Sequence, residues 1–319
     1  MKILITGSSG YVGNFLVEHF ASLGHEVIAG DIHELPRQRG LRNVRCQKLD
    51  VTARDAVTAL FQKERPDRVL HLAYLMDPQH DGEFERLVDF DGSMNVLAAA
   101  QATPSVKQLL TFSSTSAYGG NADNPDFMPE TTPLRPNDYV YGIHKKAVEE
   151  AWLAAEKRPD LKLVFYRMCT AVGPSYYKAG GLVATFAKAP FMPLIGGGRT
   201  KVQWIHEDDV KALTELIVND PDIEGIYNLV PEDFTSSADM AKALGKRTLY
   251  IPVWLIGAVV RLLWALRIGS TSPPMVRLLR YGIVASPKKL QSRYGYRFKF
   301  GSLAAFLDAV EKRKKNGTL

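Results

Sequence analysis

Through the first half of the chain, short runs rich in β-branched residues alternate with stretches of helical periodicity, the pattern of βαβ units feeding a parallel sheet. It predicts strands over residues 2–6, 25–29, 44–48, 68–71, 108–112 and 162–167. Between the first two, YVGNFLVEHFASLG sets Val12, Phe15, Leu16, Phe20 and Leu23 on one face and stops at Gly24, as a helix packed on a sheet should. Beyond residue 167 the alternation loosens into the Gly/Pro-rich loops GPSYYKAGG and APFMPLIGGGRT, mixed with further helices. The stretch NADNPDFMPETTPLRPND, residues 121–138, holds too much Pro, Asn and Asp for a regular element and is expected to line a site. The fold class these patterns imply is α/β, a doubly wound parallel sheet followed by a smaller, mostly helical C-terminal lobe.

One segment breaks the amphipathic rule. IPVWLIGAVVRLLWALRIG, running from Ile251 to Gly269, is nearly all apolar, with Arg261 interrupting it and Arg267 near its end. It is at the short limit for crossing hydrocarbon, so a buried or interfacial helix is favoured over a transmembrane one. The open alternatives are a core helix, a wall for an apolar substrate, and a surface resting on a membrane or a partner subunit.

Composition narrows the class without naming a function. At 319 residues, 46% hydrophobic and 23% charged, the chain is large enough for a sizeable core and is neither disordered nor fibrous. Its two cysteines, Cys46 and Cys169, lack metal-ligand spacing, and MKILITG reads as a buried strand rather than a signal segment, so the expected location is cytoplasmic. The net charge of +6 is unevenly spread: residues 242–319 carry 16 Lys and Arg against Asp308 and Glu311, or +14, leaving −8 for the rest. Without zinc spacing, an aromatic RNA-binding signature or a helix-turn-helix, nucleic acid is not an expected partner. A basic rim around an anionic ligand, or an acidic membrane surface, suits this asymmetry better.

The first strand runs directly into ITGSSGYVGN, with Gly7, Gly10 and Gly13 at the start of the first helix. Glycines there permit a tight turn, close approach to a pyrophosphate and close helix packing, while the helix N-terminus offers N–H groups and positive potential. Asp31 follows at the end of the second strand, where an acid accepts hydrogen bonds from the adenosine ribose hydroxyls and repels a 2′-phosphate. NAD is therefore expected over NADP. Arg37, Arg39 and Arg42 offer the opposing argument, but they lie further along a loop containing Pro36. Asp50 after the third strand and HLAY after the fourth fall at the carboxyl ends of parallel strands, where ligands bind.

A reacting group is suggested by YVYGIHKKAVEE, residues 139–150, in which Tyr141 has Lys145 one helical turn on. The spacing is weak alone, since about one such pair is expected by chance in a chain of this size. Beside a bound cofactor it acquires chemistry: a lysine ammonium favours the phenolate of a tyrosine and can hold the nicotinamide ribose. TFSSTSAYGG, after the fifth strand, crowds Ser113, Ser114, Thr115 and Ser116 into one turn that can supply a hydroxyl.

With these motifs in this order, the chain resembles the extended short-chain dehydrogenase/reductase family, the NAD-dependent epimerase/dehydratase group, to about residue 245. YRMCTAVGP with Arg167, WIHEDDV with Asp209 and GIYNLV with Asn228 add to the likeness. The resemblance implies a Rossmann NAD-binding domain over 1–167, with parts of 200–230 returning to it, and a mainly substrate-binding cap over 168–319. It places the catalytic hydroxyl on Ser114, the acid/base on Tyr141 and its partner on Lys145. Gly7, Gly10, Tyr11, Val12, Gly13, Asp31, Asp50, Val51, Leu72, Ala73 and Tyr74 match cofactor-contacting positions. A homodimer is also implied.

Departures from the family pattern limit which reaction is inherited. Members that dehydrate sugars carry an Asp-Glu pair where this chain has Thr115 and Ser116. Sugar-nucleotide epimerases carry a pyrophosphate-clamping arginine at the position of Val202, with Lys201 and Arg199 as imperfect substitutes. Asp89 replaces the usual Asn of DFDGSMNVL. Three readings follow: reversible hydride transfer at a secondary alcohol or ketone as in nucleotide-sugar epimerases, oxidation of an apolar alcohol as in 3β-hydroxysteroid dehydrogenases, and a non-catalytic NAD-binding sensor. His144 reads as a surface or supporting residue and His71 as a packed one. His206, beside Glu207, Asp208 and Asp209, reads as a strand-to-helix junction whose carboxylates cap N–H groups, with no metal expected.

Overall fold

In a computed structural model, residues 1–33, 40–176, 181–268 and 271–318 are described, with Gly181 and Leu182 described in backbone alone. Pro36, Arg37, Arg39 and Gly269 lie outside the described residues. The strands are β1 (Lys2–Thr6), β2 (Glu26–Asp31), β3 (Val44–Lys48), β4 (Arg68–His71), β5 (Gln108–Ser114), β6 (Lys162–Met168), β7 (Thr170–Val172), β8 (Phe191–Ile195), β9 (Trp204–His206), β10 (Gly225–Leu229) and β11 (Arg247–Ile251).

Seven of them form one sheet in the order β10-β6-β5-β4-β1-β2-β3, and the pairs β1–β2, β2–β3, β1–β4 and β4–β5 are parallel. The chain starts mid-sheet at β1, winds outward to β3, then returns to β4 and winds the other way. This is the doubly wound arrangement, with its switch point between β1 and β4. Helices cover both faces, so the central strands are continuous apolar runs: Ile3, Leu4 and Ile5 are fully buried. On one face Leu4, Ile28, Val69 and Leu109 pack with Val96 and Ala100 of the helix Gly92–Ala102 and with Val148 and Trp152 of the helix Val140–Ala154. Each Val, Leu or Ile among them contributes about 1.5–3 kcal/mol on burial.

Three strands run longer than their hydrophobic pattern, β6 by the single residue Met168. β2 continues to Asp31 and β5 to Ser114, so both residues are the last of their strands. Pairing of Asp31 with Lys48 supplies main-chain bonds that side-chain patterning does not report.

The chain divides into two compact units. The first comprises Met1–Ser113, His144–Tyr166 and Lys211–Tyr227. The second comprises Ser114–Ile143, Arg167–Val210 and Asn228–Leu319. Besides helices such as Val253–Ala265 and Ser302–Lys315, the second unit holds two small parallel pairs, β7 with β9 and β8 with β11. None of these four is among the strands that the sequence pattern predicts, and β7 and β9, at three residues each, are too short to show a period of two.

Candidate functional site

The turn after β1 is built for close approach. Gly7 has φ 72°, and a Cβ there would lie 2.6 Å from the carbonyl carbon of Leu72 and the nitrogen of Ala73. The turns following β1 and β4 thus touch at the switch point, which only glycine permits. A Cβ on Gly13 would lie 2.2 Å from the Gly7 carbonyl oxygen, so the helix Tyr11–Ser22 sits directly on the turn. That helix has no acidic residue in its first turn to neutralise its positive end.

Asp31 joins this turn: its Oδ2 accepts from the Ser9 N–H at 2.9 Å and its Oδ1 from the His33 N–H at 3.0 Å. Each oxygen keeps acceptor capacity for a ribose hydroxyl. The glycine cradle and an acid at the end of β2 fit NAD, and the carboxylate disfavours a 2′-phosphate. Asp50 accepts from the N–H and the hydroxyl of Thr52. Val51 is buried and packs at Gly92, where a Cβ would meet its Cγ2 at 2.7 Å. Tyr11, Val12, Leu72 and Ala73 border the turn by position in the chain.

Behind Tyr74 lies a buried polar cluster in the same unit. Lys145 is 2% exposed, donates to the Phe112 carbonyl and sits over the Tyr74 ring. Burial pushes its pKa well below the ordinary lysine value, and the Asp89 carboxylate opposes that shift. His71 bonds Thr6 Oγ1 at 2.7 Å and Ser93 Oγ at 2.9 Å, and burial, helped by the Lys145 charge, lowers its pKa to about 3. It is a neutral, packed histidine. The Ser93 hydroxyl lies 3.0 Å from that of Tyr74, whose pKa burial raises despite this bond.

Asp89, without a role in the sequence reading, occupies a π turn, Leu87–Asp91, entering the helix Gly92–Ala102. It is buried, accepts from the Leu75 N–H at 2.9 Å and pairs with His144 Nδ1 at 3.0 Å. An unexpected acid in a family motif beside a histidine near Lys145 was the available signal for this pair, but only the fold brings positions 89 and 144 together.

In the second unit, Ser114 Oγ accepts from the Ser116 N–H at 3.1 Å, capping the one-turn helix Thr115–Tyr118. Gly142 presses the opening turn of the helix Val140–Ala154 against that element: a Cβ there would lie 2.8 Å from the Ser116 carbonyl oxygen. Tyr141 is therefore held beside the turn that carries Ser114. Tyr139 is buried, with its ring centroid 5.9 Å from that of Tyr141.

The motif residues Arg167 and Asn228 form a brace in this unit. Arg167 Nη1 donates to the Tyr118 hydroxyl at 2.9 Å and to the Glu130 carbonyl at 2.7 Å. Tyr118 donates to Asn228 Oδ1 at 2.8 Å, and Asn228 Nδ2 donates to the carbonyls of Met128 and Ser286. Residues 128–130 of the Pro-rich stretch are thus fastened down by a buried network.

The run at His206 is a strand-to-helix junction, β9 ending at His206 and a helix, Glu207–Asn219, following directly. Asp209 Oδ1 accepts from the Tyr296 hydroxyl at 2.7 Å and the Lys299 N–H, while Glu207 accepts from Ser175. Glu207 and Asp209 thus fasten residues 175, 296 and 299 to this junction. His206 is fully buried and pairs with Asp308 at 3.0 Å. Among the described residues no group of His, Cys, Asp and Glu is placed to hold a metal ion. Lys201 forms an ion pair with Asp126, and Arg199 is exposed.

The sequence profile of the NAD dependent epimerase/dehydratase family matches residues 3–229. A probable dTDP-glucose 4,6-dehydratase of Sinorhizobium fredii is 26% identical over 243 residues, covering 69% of this chain and 68% of that protein. A UDP-glucose 4-epimerase of Neisseria meningitidis is 28% identical over 189 residues, covering 54% and 53%. Among solved structures, the enzyme WbmG of Bordetella bronchiseptica in complex with NAD and UDP superposes with a TM-score of 0.79 at 22% identity, covering 99% and 94% of the two chains. These relatives do not favour the apolar-alcohol reading, and the family consists of NAD-dependent enzymes rather than sensors. The profile match, the glycine cradle and the doubly wound sheet agree: the chain belongs to the NAD-dependent epimerase/dehydratase family.

Proposed function

We propose that this enzyme epimerises the sugar of a nucleotide sugar at a secondary carbinol carbon, with Ser114, Tyr141 and Lys145 as its reacting set. The observation that carries this reading is the seating of Gly142 on the Ser116 carbonyl, which holds Tyr141 beside the Ser114 turn while the same helix continues to Lys145. NAD, which the Gly7–Gly13 turn and Asp31 would hold, would supply reversible hydride transfer at the carbinol carbon. Tyr141 takes the hydroxyl proton as the carbonyl forms and gives it back on reduction, and Ser114 holds the reacting oxygen by hydrogen bond. Lys145 supplies positive charge that favours the tyrosinate and orients the nicotinamide ribose.

Dehydration is disfavoured because Thr115 and Ser116 stand where that chemistry needs an acid and a base. Val202 removes one phosphate clamp, and the basic balance of residues 242–319 supports a replacement from that lobe. Residues 1–167, with parts of 200–230, serve in this reading as the NAD-binding part, and 168–319 mainly as the substrate-binding part. A homodimer is the proposed assembly, and segment 251–269 a peripheral membrane contact.

The test incubates the purified protein, with its retained NAD quantified, with UDP- and dTDP-hexoses. Epimer formation is followed by NMR and free NADH by absorbance. Epimer without net NADH is expected, and Tyr141→Phe should reduce turnover about 10²–10⁴-fold while NAD stays bound. Undiminished turnover in that variant, or net NADH formation matching substrate loss, overturns the proposal.

A further inference from the structure

Among the described residues, five of the six most exposed large hydrophobic side chains come from one short stretch: Trp254 at 74%, Tyr250 at 63%, Leu262 at 61%, Leu266 at 59% and Ile268 at 56%. Three belong to, or directly follow, the helix Val253–Ala265, in which only Val260 is buried. That helix lies against the helix Met275–Arg280 through its opposite side, where a Cβ on Gly257 would lie 3.9 Å from Val276 Cγ1. At 100° per residue, Trp254, Leu262 and Leu266 fall within one arc facing away from Val260, and Arg261 borders that arc. An apolar helix face with this degree of exposure is uncommon on a protein that meets only water.

We propose that this face docks the enzyme on an anionic phospholipid bilayer, with the helix lying in the plane of the interface. Thirteen residues span about 20 Å along a helix axis, less than the roughly 30 Å of hydrocarbon, so the element cannot cross the bilayer. No helix among the described residues is long and apolar enough to do so.

Charge selects the occupant. From Asp239 to Asp308 the intervening chain has twelve Lys and Arg and no Asp or Glu. Arg247, Arg261 and Arg267 are exposed, Arg261 at the border of the apolar face and the other two in the segments that flank the helix. A second copy docking through the same face would bring arginines against arginines, with no acid in the segment to receive them, whereas anionic headgroups pair with every one. Trp and Leu on one side with arginines at the border is the composition of an interfacial helix, and apolar insertion plus basic attraction together give the two signals that stable peripheral binding needs.

The test sediments the full-length protein with vesicles of phosphatidylglycerol and phosphatidylcholine, and with phosphatidylcholine alone, at low and high salt. Binding to the anionic vesicles, weakened by salt, with a blue shift of tryptophan emission, is expected. Trp254→Glu/Leu262→Glu and Arg261→Gln/Arg267→Gln should each reduce the bound fraction about tenfold or more. All four side chains are exposed, so retained NAD and an unchanged circular dichroism spectrum are the checks on folding. Failure of the wild type to bind anionic vesicles, or equal binding by the acidic double variant, overturns the proposal. A dimer in lipid-free solution that the acidic variant converts to monomer, without a change in vesicle binding, assigns the face to a second copy instead.

Discussion

Among the described residues Lys145, Arg167 and Arg313 are buried cations, and the first two, each in a polar cluster, differ in kind. Arg167 in the second unit finds the Tyr118 hydroxyl and the Glu130 carbonyl, and its guanidinium does not titrate in a protein. Lys145 in the first unit finds the Phe112 carbonyl and an aromatic face, and burial drives its pKa downward. A guanidinium surrounded by acceptors makes a rigid brace, whereas a desolvated ammonium is a group whose protonation responds to its neighbours. The comparison teaches that burial alone does not say what a cation does: a buried guanidinium keeps a fixed charge, a buried ammonium a titratable one.

Lys145→Met should separate the two clusters most sharply. It is expected to lower turnover about 10²–10⁴-fold with little loss of stability, because it replaces a desolvated charge with a side chain of similar volume. Native lysine with a lowered pKa binds fewer protons than the unfolded chain. Its unfavourable contribution is therefore fully present below the folded pKa and is relieved as pH rises toward about 10.5. The variant should lose that alkaline rise, read as urea midpoint against pH. A large loss of stability with turnover intact would make Lys145 a brace like Arg167.

Arg167→Met should act the other way, costing about 2–4 kcal/mol by urea unfolding, since Tyr118 and the Glu130 carbonyl lose their donor. The folded fraction should still retain NAD. Loss of NAD from folded protein would show that the brace reaches the cofactor.

His71→Asn probes the floor of the lysine cluster. With a pKa near 3 in the fold against about 6.5 unfolded, wild-type His71 contributes stability that is present above pH 6.5 and is lost progressively as pH falls toward 3. The variant should show a shallower loss over that window, whatever its stability at neutral pH. Equal slopes would mean that His71 already ionises in the fold.

The smallest effect is expected from Asp89→Asn. Asp89 raises the Lys145 pKa, so its neutralisation should lower that pKa further and move the alkaline limb of the pH–rate profile to lower pH, with less than a tenfold change at the optimum. No movement of that limb would uncouple Asp89 from the lysine and leave it as a partner of His144 alone.

Six sheet strands were legible from their apolar runs, because a strand buried on both faces needs nothing but length and β-branching to be recognised. The glycine turn was equally legible, since Gly7 and Gly13 stand where no Cβ fits. β7 to β11 were not: each is held by pairing with chain far away in sequence. The apolar segment 251–269 showed its oddity in the sequence, yet core helix and surface helix share one composition, and exposure alone distinguishes them.

The order of motifs along the chain determined the family, the cofactor and which tyrosine has a lysine one turn on, since these depend on local spacing and on residue types that only one backbone geometry tolerates. The tertiary structure decided the rest. It paired Asp89 with His144, closed Arg167 and Asn228 into a brace, and placed Lys145 in a desolvated pocket. Contact and desolvation are properties of residues brought together from distant positions, and no local pattern carries them.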